Sequence, residues 1–211
     1  MTTTLTITRH DDPPDTMTIE FTPPLPFKGG EIALIELKEP TARQVREAER
    51  ERSVDAPWAA HVAYELKLIG LVSGLNAAQL DLLPIGAANY AATFLTEFIE
   101  AGGTPIEDDE EQGPPPLEAL SIEIDPPIKF MGVSYSEINL REPLASEVRK
   151  ARQMMRSPGN LFESRRAQMS LITAVSELPA PVIDALPIRR LNEAGRVLSR
   201  FTIAGRKTGS N

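Results

Sequence analysis

Two spacings of apolar residues run through this chain, period two and then the helical period, and the succession occurs twice. Met17, Ile19 and Phe21 alternate with polar residues, which puts them on one face of a strand. Pro23-Pro24 marks an edge or a bend, because proline has no N–H to give a ladder. Phe27-Lys28-Gly29-Gly30 reads as a turn, and residues 31–37 form a second β-rich run. Together these predict a small antiparallel hairpin or meander. Upstream, residues 1–8 alternate Thr with Leu and Ile like a strand, and the run from Asp11 to Asp15 interrupts regular structure.

The helical period follows. Glu39-Pro40-Thr41 ends the strand, and Thr41 with Gln44 has capping-box spacing for a charged helix reaching about residue 52. Asp55 offers a cap for an apolar helix over 58–73. Asn76 or its neighbour caps a short turn over 77–82 that stops at Leu83-Pro84. The last helix, 86–100, carries Tyr90, Phe94, Leu95 and Phe98 at helical spacing.

A shift of 103 residues lays the chain on itself without a gap from about residue 19 to about 102. Pro23-Pro24, Glu39-Pro40, Val45-Arg46, Asp81 and Leu83-Pro84-Ile85 fall on Pro126-Pro127, Glu142-Pro143, Val148-Arg149, Asp184 and Leu186-Pro187-Ile188. A unit near a hundred residues can bury its own core, so this is a tandem duplication of a small domain rather than a short-period solenoid. The predicted fold class is α+β, mainly helical: two tandem copies of a β-hairpin plus a helical bundle. The boundaries are an N-terminal extension at 1–15, a first copy at 16–102, an acidic Pro-rich linker at 103–118, a second copy at 119–204 and a flexible tail at 205–211. Strands near 121–124 and 134–140 and helices near 144–155, 161–177, 181–185 and 189–201 are expected in the second copy. The two copies should share one chain path.

Composition narrows the chemistry. The 211 residues include no cysteine and two histidines in unlike contexts, which removes thiolate chemistry and zinc–cysteine sites and makes a histidine metal centre improbable. No stretch approaches the roughly 20 apolar residues of a membrane helix. No basic segment precedes an apolar run at the start, so a cytosolic type of protein is expected. A net charge of −8 argues against general nucleic-acid binding. The charge is uneven: residues 1–103 hold 8 Lys and Arg against 15 Asp and Glu, and residues 104–211 hold 14 against 15, with six of those acids between 107 and 118. An acidic copy and a basic copy are thus joined by an acidic tether.

No phosphate loop, dinucleotide fingerprint, nucleophile elbow or zinc-protease motif occurs, so no catalytic, cofactor-binding or metal-ligating residue is assigned. Asp81 and Asp184 precede a helix stop and read as solvated or capping groups. His61 reads as a packed or half-exposed histidine, and Trp58 as a core or interface aromatic. The Ala87, Ala88, Ala91 and Ala92 face permits close helix approach, though ordinary packing explains it better. Arg165, Arg166, Arg189 and Arg190 form a candidate basic docking face, and Glu47, Glu49 and Glu51 a candidate acidic one. Either could equally be solvated. If they dock, the copies should attract each other within or between chains in a salt-sensitive way.

The order of features resembles a known family. Leu37-Lys38-Glu39-Pro40 with Leu80-Asp81-Leu82-Leu83-Pro84, and Leu140-Arg141-Glu142-Pro143 with Ile183-Asp184-Ala185-Leu186-Pro187, are similar to the phage tail assembly chaperones of Mu-like and related long-tailed phages. Members of that family are usually single domains, whereas this chain is doubled. The resemblance implies a non-enzymatic protein of the host bacterial cytoplasm, without cofactor. By the same resemblance the protein is expected to bind the tape-measure protein and keep it soluble until the tail tube assembles. The tail tube protein is a second candidate partner and self-association a third. The alternative is a structural tail or baseplate adaptor.

Overall fold

A computed structural model describes residues 3–10, 15–52, 57–101, 120–157 and 159–204. Asp55, the linker 103–118 and the tail 205–211 lie outside these residues, as does the side chain of Trp58. The chain divides into two compact units, Met1–Pro40 with Glu47–Phe98, and Thr41–Arg46 with Ile99–Asn211.

The first unit opens with three antiparallel strands in the order β1 (Thr4–His10), β2 (Thr16–Phe27) and β3 (Gly30–Lys38). Alternation decides which face is covered: Met17, Ile19 and Phe21 on β2 and Ile32, Ile35 and Leu37 on β3 are buried, while Glu20, Glu31 and Glu36 are exposed. The β2–β3 register slips between Glu20 and Leu25, where Pro23 and Pro24 cannot donate to the ladder. Lys28 and Gly29 form the two-residue turn, with Gly29 at φ 115°, a region open to glycine alone at no steric cost. The extension expected at 1–15 supplies β1, which pairs with β2 from Thr4 to His10.

Helices follow the sheet, and the one over Pro57–Ser73 packs on β3. α1 (Ala42–Ala48) runs into a 3₁₀ turn (Glu49–Glu51). α2 (Pro57–Ser73), α3 (Ala77–Leu80) and α4 (Ile85–Ala101) follow. The cap at α3 is a capping box: Asn76 Oδ1 accepts from the Gln79 N–H and Gln79 Oε1 from the Asn76 N–H. Ala87, Ala88, Ala91 and Ala92 are all buried on α4, so the small-residue face is spent on packing. Phe94 and Phe98 meet edge to face at 5.0 Å.

The second unit repeats the sequence of elements. β4 (Leu120–Phe130) and β5 (Val133–Leu140) form a hairpin whose register slips between Glu123 and Ile128, again at a Pro-Pro pair. α5 (Ala145–Gln153), α6 (Leu161–Ser176), α7 (Ala180–Ala185) and α8 (Ile188–Ala204) follow. α6 packs on β5, and α7 and α8 pack on β4. Ile122, Ile124, Ile138, Leu140, Ile172 and Leu191 are among the buried residues of its core. Strands occupy 16–21 and 121–124 alike, as a shared chain path requires. The units differ from the sequence repeat at two places: residues 41–46 and the end of the first copy from Ile99 onward, both first-copy by sequence, cluster with the second unit.

Leu37 and Leu140 hold equivalent, fully buried places in the two hairpins. Leu37→Ala and Leu140→Ala should each destabilise the chain by about 2–5 kcal/mol, read from urea denaturation midpoints.

Candidate functional site

The start of α1 forms a ledge within the second unit. The Ala42 N–H donates to the Leu186 carbonyl at 2.8 Å, and Thr41 bridges Pro187. Arg46 Nη1 donates to Asp184 Oδ1 at 2.9 Å and lies 3.7 Å from Met169 Sδ. Ala42 and Val45 are fully buried. Thr41 and Gln44 make the expected capping box, with the Thr41 N–H 2.8 Å from Gln44 Oε1 and the Gln44 N–H 3.3 Å from Thr41 Oγ1. Asp184 is therefore the anchor of an ion pair, a role its place before a helix stop did not reveal.

At the corresponding start of α5, Glu147 takes the place of Gln44. Its carboxylate accepts from the Leu144 N–H at 2.8 Å and from both terminal nitrogens of Arg141 at 2.7 and 3.0 Å. The Arg141 hydrogen bonds, reinforced by the Leu144 N–H, hold the Glu147 carboxyl down to about 2. Glu163, at the start of α6, is likewise held below the usual carboxylate range by the Ser157 and Arg156 N–H groups.

The arginines singled out from the sequence lie on α6 and at the start of α8, two helices that touch. Arg165 is half-buried and donates to Asn192 Oδ1 at 2.6 Å, while Asn192 Nδ2 donates to the Ile99 carbonyl. Arg190 pairs with Glu193 at 2.9 Å. Arg166 and Arg189 are exposed. Glu47 pairs with Arg50 at 2.6 Å, Glu49 is buried, and Glu51 is exposed. Packing thus occupies Arg165 and Glu49, leaving Arg166, Arg189 and Glu51 as the outward members. His61 is half-exposed and sits 3.1 Å from Glu65.

Two grooves of the second unit were not foreseen, because they depend on helices meeting rather than on any motif. One, about 240 Å³, runs between α5, α6 and α8 and is lined by Ala151, Met155, Ala167, Leu171 and Leu198 among others. The second, about 680 Å³ and more open, adjoins it through Val148 and Arg152 and reaches Pro143, Ala145 and Phe201. Met131 and Val133 stand exposed at the β4–β5 tip. Among the described residues no cluster of three or more His, Asp or Glu could hold a metal ion, and no helix is long and apolar enough to cross a membrane.

A family model described as phage tail assembly chaperone proteins, E, or 41 or 14, matches residues 16–100 and again 121–203. The chain belongs to this family. The match falls on both copies, so this is a tail assembly chaperone with two tandem family domains. No curated protein and no solved structure matches the chain.

In this chaperone the Glu147 cap makes a pH-dependent contribution. The carboxyl falls from an ordinary 4.5 to about 2 on folding, so its stabilisation is complete above pH 4.5 and disappears as pH falls toward 2. Glu147→Gln should lower the stability at neutral pH by about 1 kcal/mol, kept small because the Arg141 side chain is 41% exposed. Thermal melts of both chains should differ at neutral pH and converge near pH 2.

Proposed function

We propose that this chaperone binds the tape-measure protein of its phage and keeps that long partner soluble until the tail tube assembles around it. Family membership in two tandem segments is the observation that carries this reading. The partner would be helical, with an amphipathic face in need of cover. A groove between α5, α6 and α8 with Ala151, Ala167, Leu171 and Leu198 along it suits an apolar helix ridge, the helix-in-groove mode of recognition. Exposed Arg166 and Arg189 would steer an acidic partner toward the same unit, an effect that salt weakens. The work is binding, in the host bacterial cytoplasm, with the tail tube protein as a further candidate partner.

Co-expression with the tape-measure protein tests it. The full chain should co-purify with that partner and raise its soluble fraction. Met155 is 44% exposed at the groove, so Met155→Glu should leave the fold intact and weaken capture about tenfold or more, equivalent to roughly 1.4 kcal/mol. A tape-measure protein equally soluble alone, with nothing co-purifying, would refute the proposal. Recovery of the chain in purified phage particles would instead favour a structural tail or baseplate adaptor.

A further inference from the structure

Among the described residues the two copies differ in one element. β2 carries β1 on the edge away from β3, whereas β4 pairs with β5 alone. The other edge of β4 therefore has no ladder partner among these residues, and such an edge is a template for an added strand. Residues 107–113, which stand 103 positions after β1, read Glu-Asp-Asp-Glu-Glu-Gln-Gly. They lack the alternation of Leu5 and Ile7 with threonine that makes β1 a strand.

The first copy shows what this edge accepts. In β1, Leu5 and Ile7 stand opposite the buried Phe21 and Ile19, and Thr4, Thr6 and Thr8 stand opposite Thr22, Glu20 and Thr18 on the other face. The equivalent places on β4 are the buried Ile124 and Ile122 and the exposed Asp125, Glu123 and Ser121. The apolar requirement is unchanged, but the outer face has gained acid. Leu34, the cross-strand neighbour of Glu20, is replaced by Glu137 opposite Glu123. Like charges placed directly opposite repel. Ser121 Oγ donates to Glu137 Oε2 at 2.9 Å, fixing that carboxylate on this face. One charge has reversed as well: Arg9 of β1 pairs with Glu97 at 2.7 Å, and Arg200 holds the place of Glu97 in the second copy.

We propose that the outer edge of β4 takes an extended segment of a partner protein as a third strand, antiparallel to residues 120–125, as β1 lies on β2. The segment alternates aliphatic residues facing Ile122 and Ile124 with Lys or Arg facing Glu123 and Asp125, and it places an acid near Arg200. A basic residue beside Glu123 also offsets the repulsion from Glu137. A second copy of this chain is a poor occupant, because its β1 is engaged on its own β2 and two β4 edges would set acid against acid. Residues 107–113 would do the same. The site lies on the sheet of the second unit and uses neither groove, so it stands apart from capture of the tape-measure protein.

Fluorescence anisotropy of a labelled peptide added to the full chain tests it. The probe is residues 3–10 carrying Thr4→Lys, Thr6→Lys and Arg9→Glu. It should bind in the micromolar range, and more weakly as salt rises. The same peptide with Thr4→Glu and Thr6→Glu in place of the two lysine substitutions should bind about tenfold more weakly. In the protein, Glu123→Lys together with Asp125→Lys, both at exposed positions, should invert that preference. Hydrogen exchange should show the amides of Leu120 to Glu123 gaining protection in the complex. No binding of the basic probe up to about 1 mM, equal binding of the two peptides, or binding that leaves β4 unprotected would each overturn the proposal.

Discussion

An antiparallel sheet of two or three strands with one apolar face cannot keep that face dry by itself, and this chain contains that deficit twice. β2 and β3 present Ile19, Ile35 and Leu37, and β4 and β5 present Ile122, Ile124, Ile138 and Leu140. Each set must be covered by helices that follow in the sequence. The order of elements, the helix stops at Leu-Pro and the placement of buried residues all serve that requirement. Polar residues alternate onto the opposite face, so a one-residue slip in register would bury Glu20 or Glu123 in place of isoleucine.

Much of this could be read from residues alone, because period-two and helical spacing have local causes. The Thr41–Gln44 box, the Asn76 cap, the Lys28-Gly29 turn and the α4 aromatics each depend on neighbours within four positions. The division of residues 41–46 from the rest of their copy could not be read this way, since it depends on a partner far along the chain. A signal for it was nevertheless present. Arg46 and Asp81 keep their identity 103 residues on, although both are polar residues of the kind that drift. The docking faces illustrate the opposite limit. Arg165 and Glu49 have the same composition signature as exposed charges, and only packing distinguishes a guanidinium bound to Asn192 or a buried glutamate from a solvated one.

The two copies also reach one local result through different chemistry. Gln44 and Glu147 each accept the N–H that opens their helix, at 2.8 Å in both cases. The neutral amide does so at any pH, whereas the carboxylate adds a charge-assisted link to Arg141 and a dependence on ionisation. Lys38 occupies the position equivalent to Arg141. Duplication has thus preserved the helix start while making one version of it titratable.

The Arg46–Asp184 pair joins residues 138 positions apart. During synthesis at about 5–20 residues per second, the ledge leaves the ribosome on the order of 10 s before Asp184 exists. Over that interval Ala42 and Val45 have no cover from the second unit, while the hairpin upstream can already form from contacts close in sequence. The second unit is therefore the last part of the chain able to finish, and it finishes by recruiting its oldest residues. A ribosome that stops before Asp184, or a chain cut between the copies, would leave a first copy with an apolar ledge and nothing to set it against.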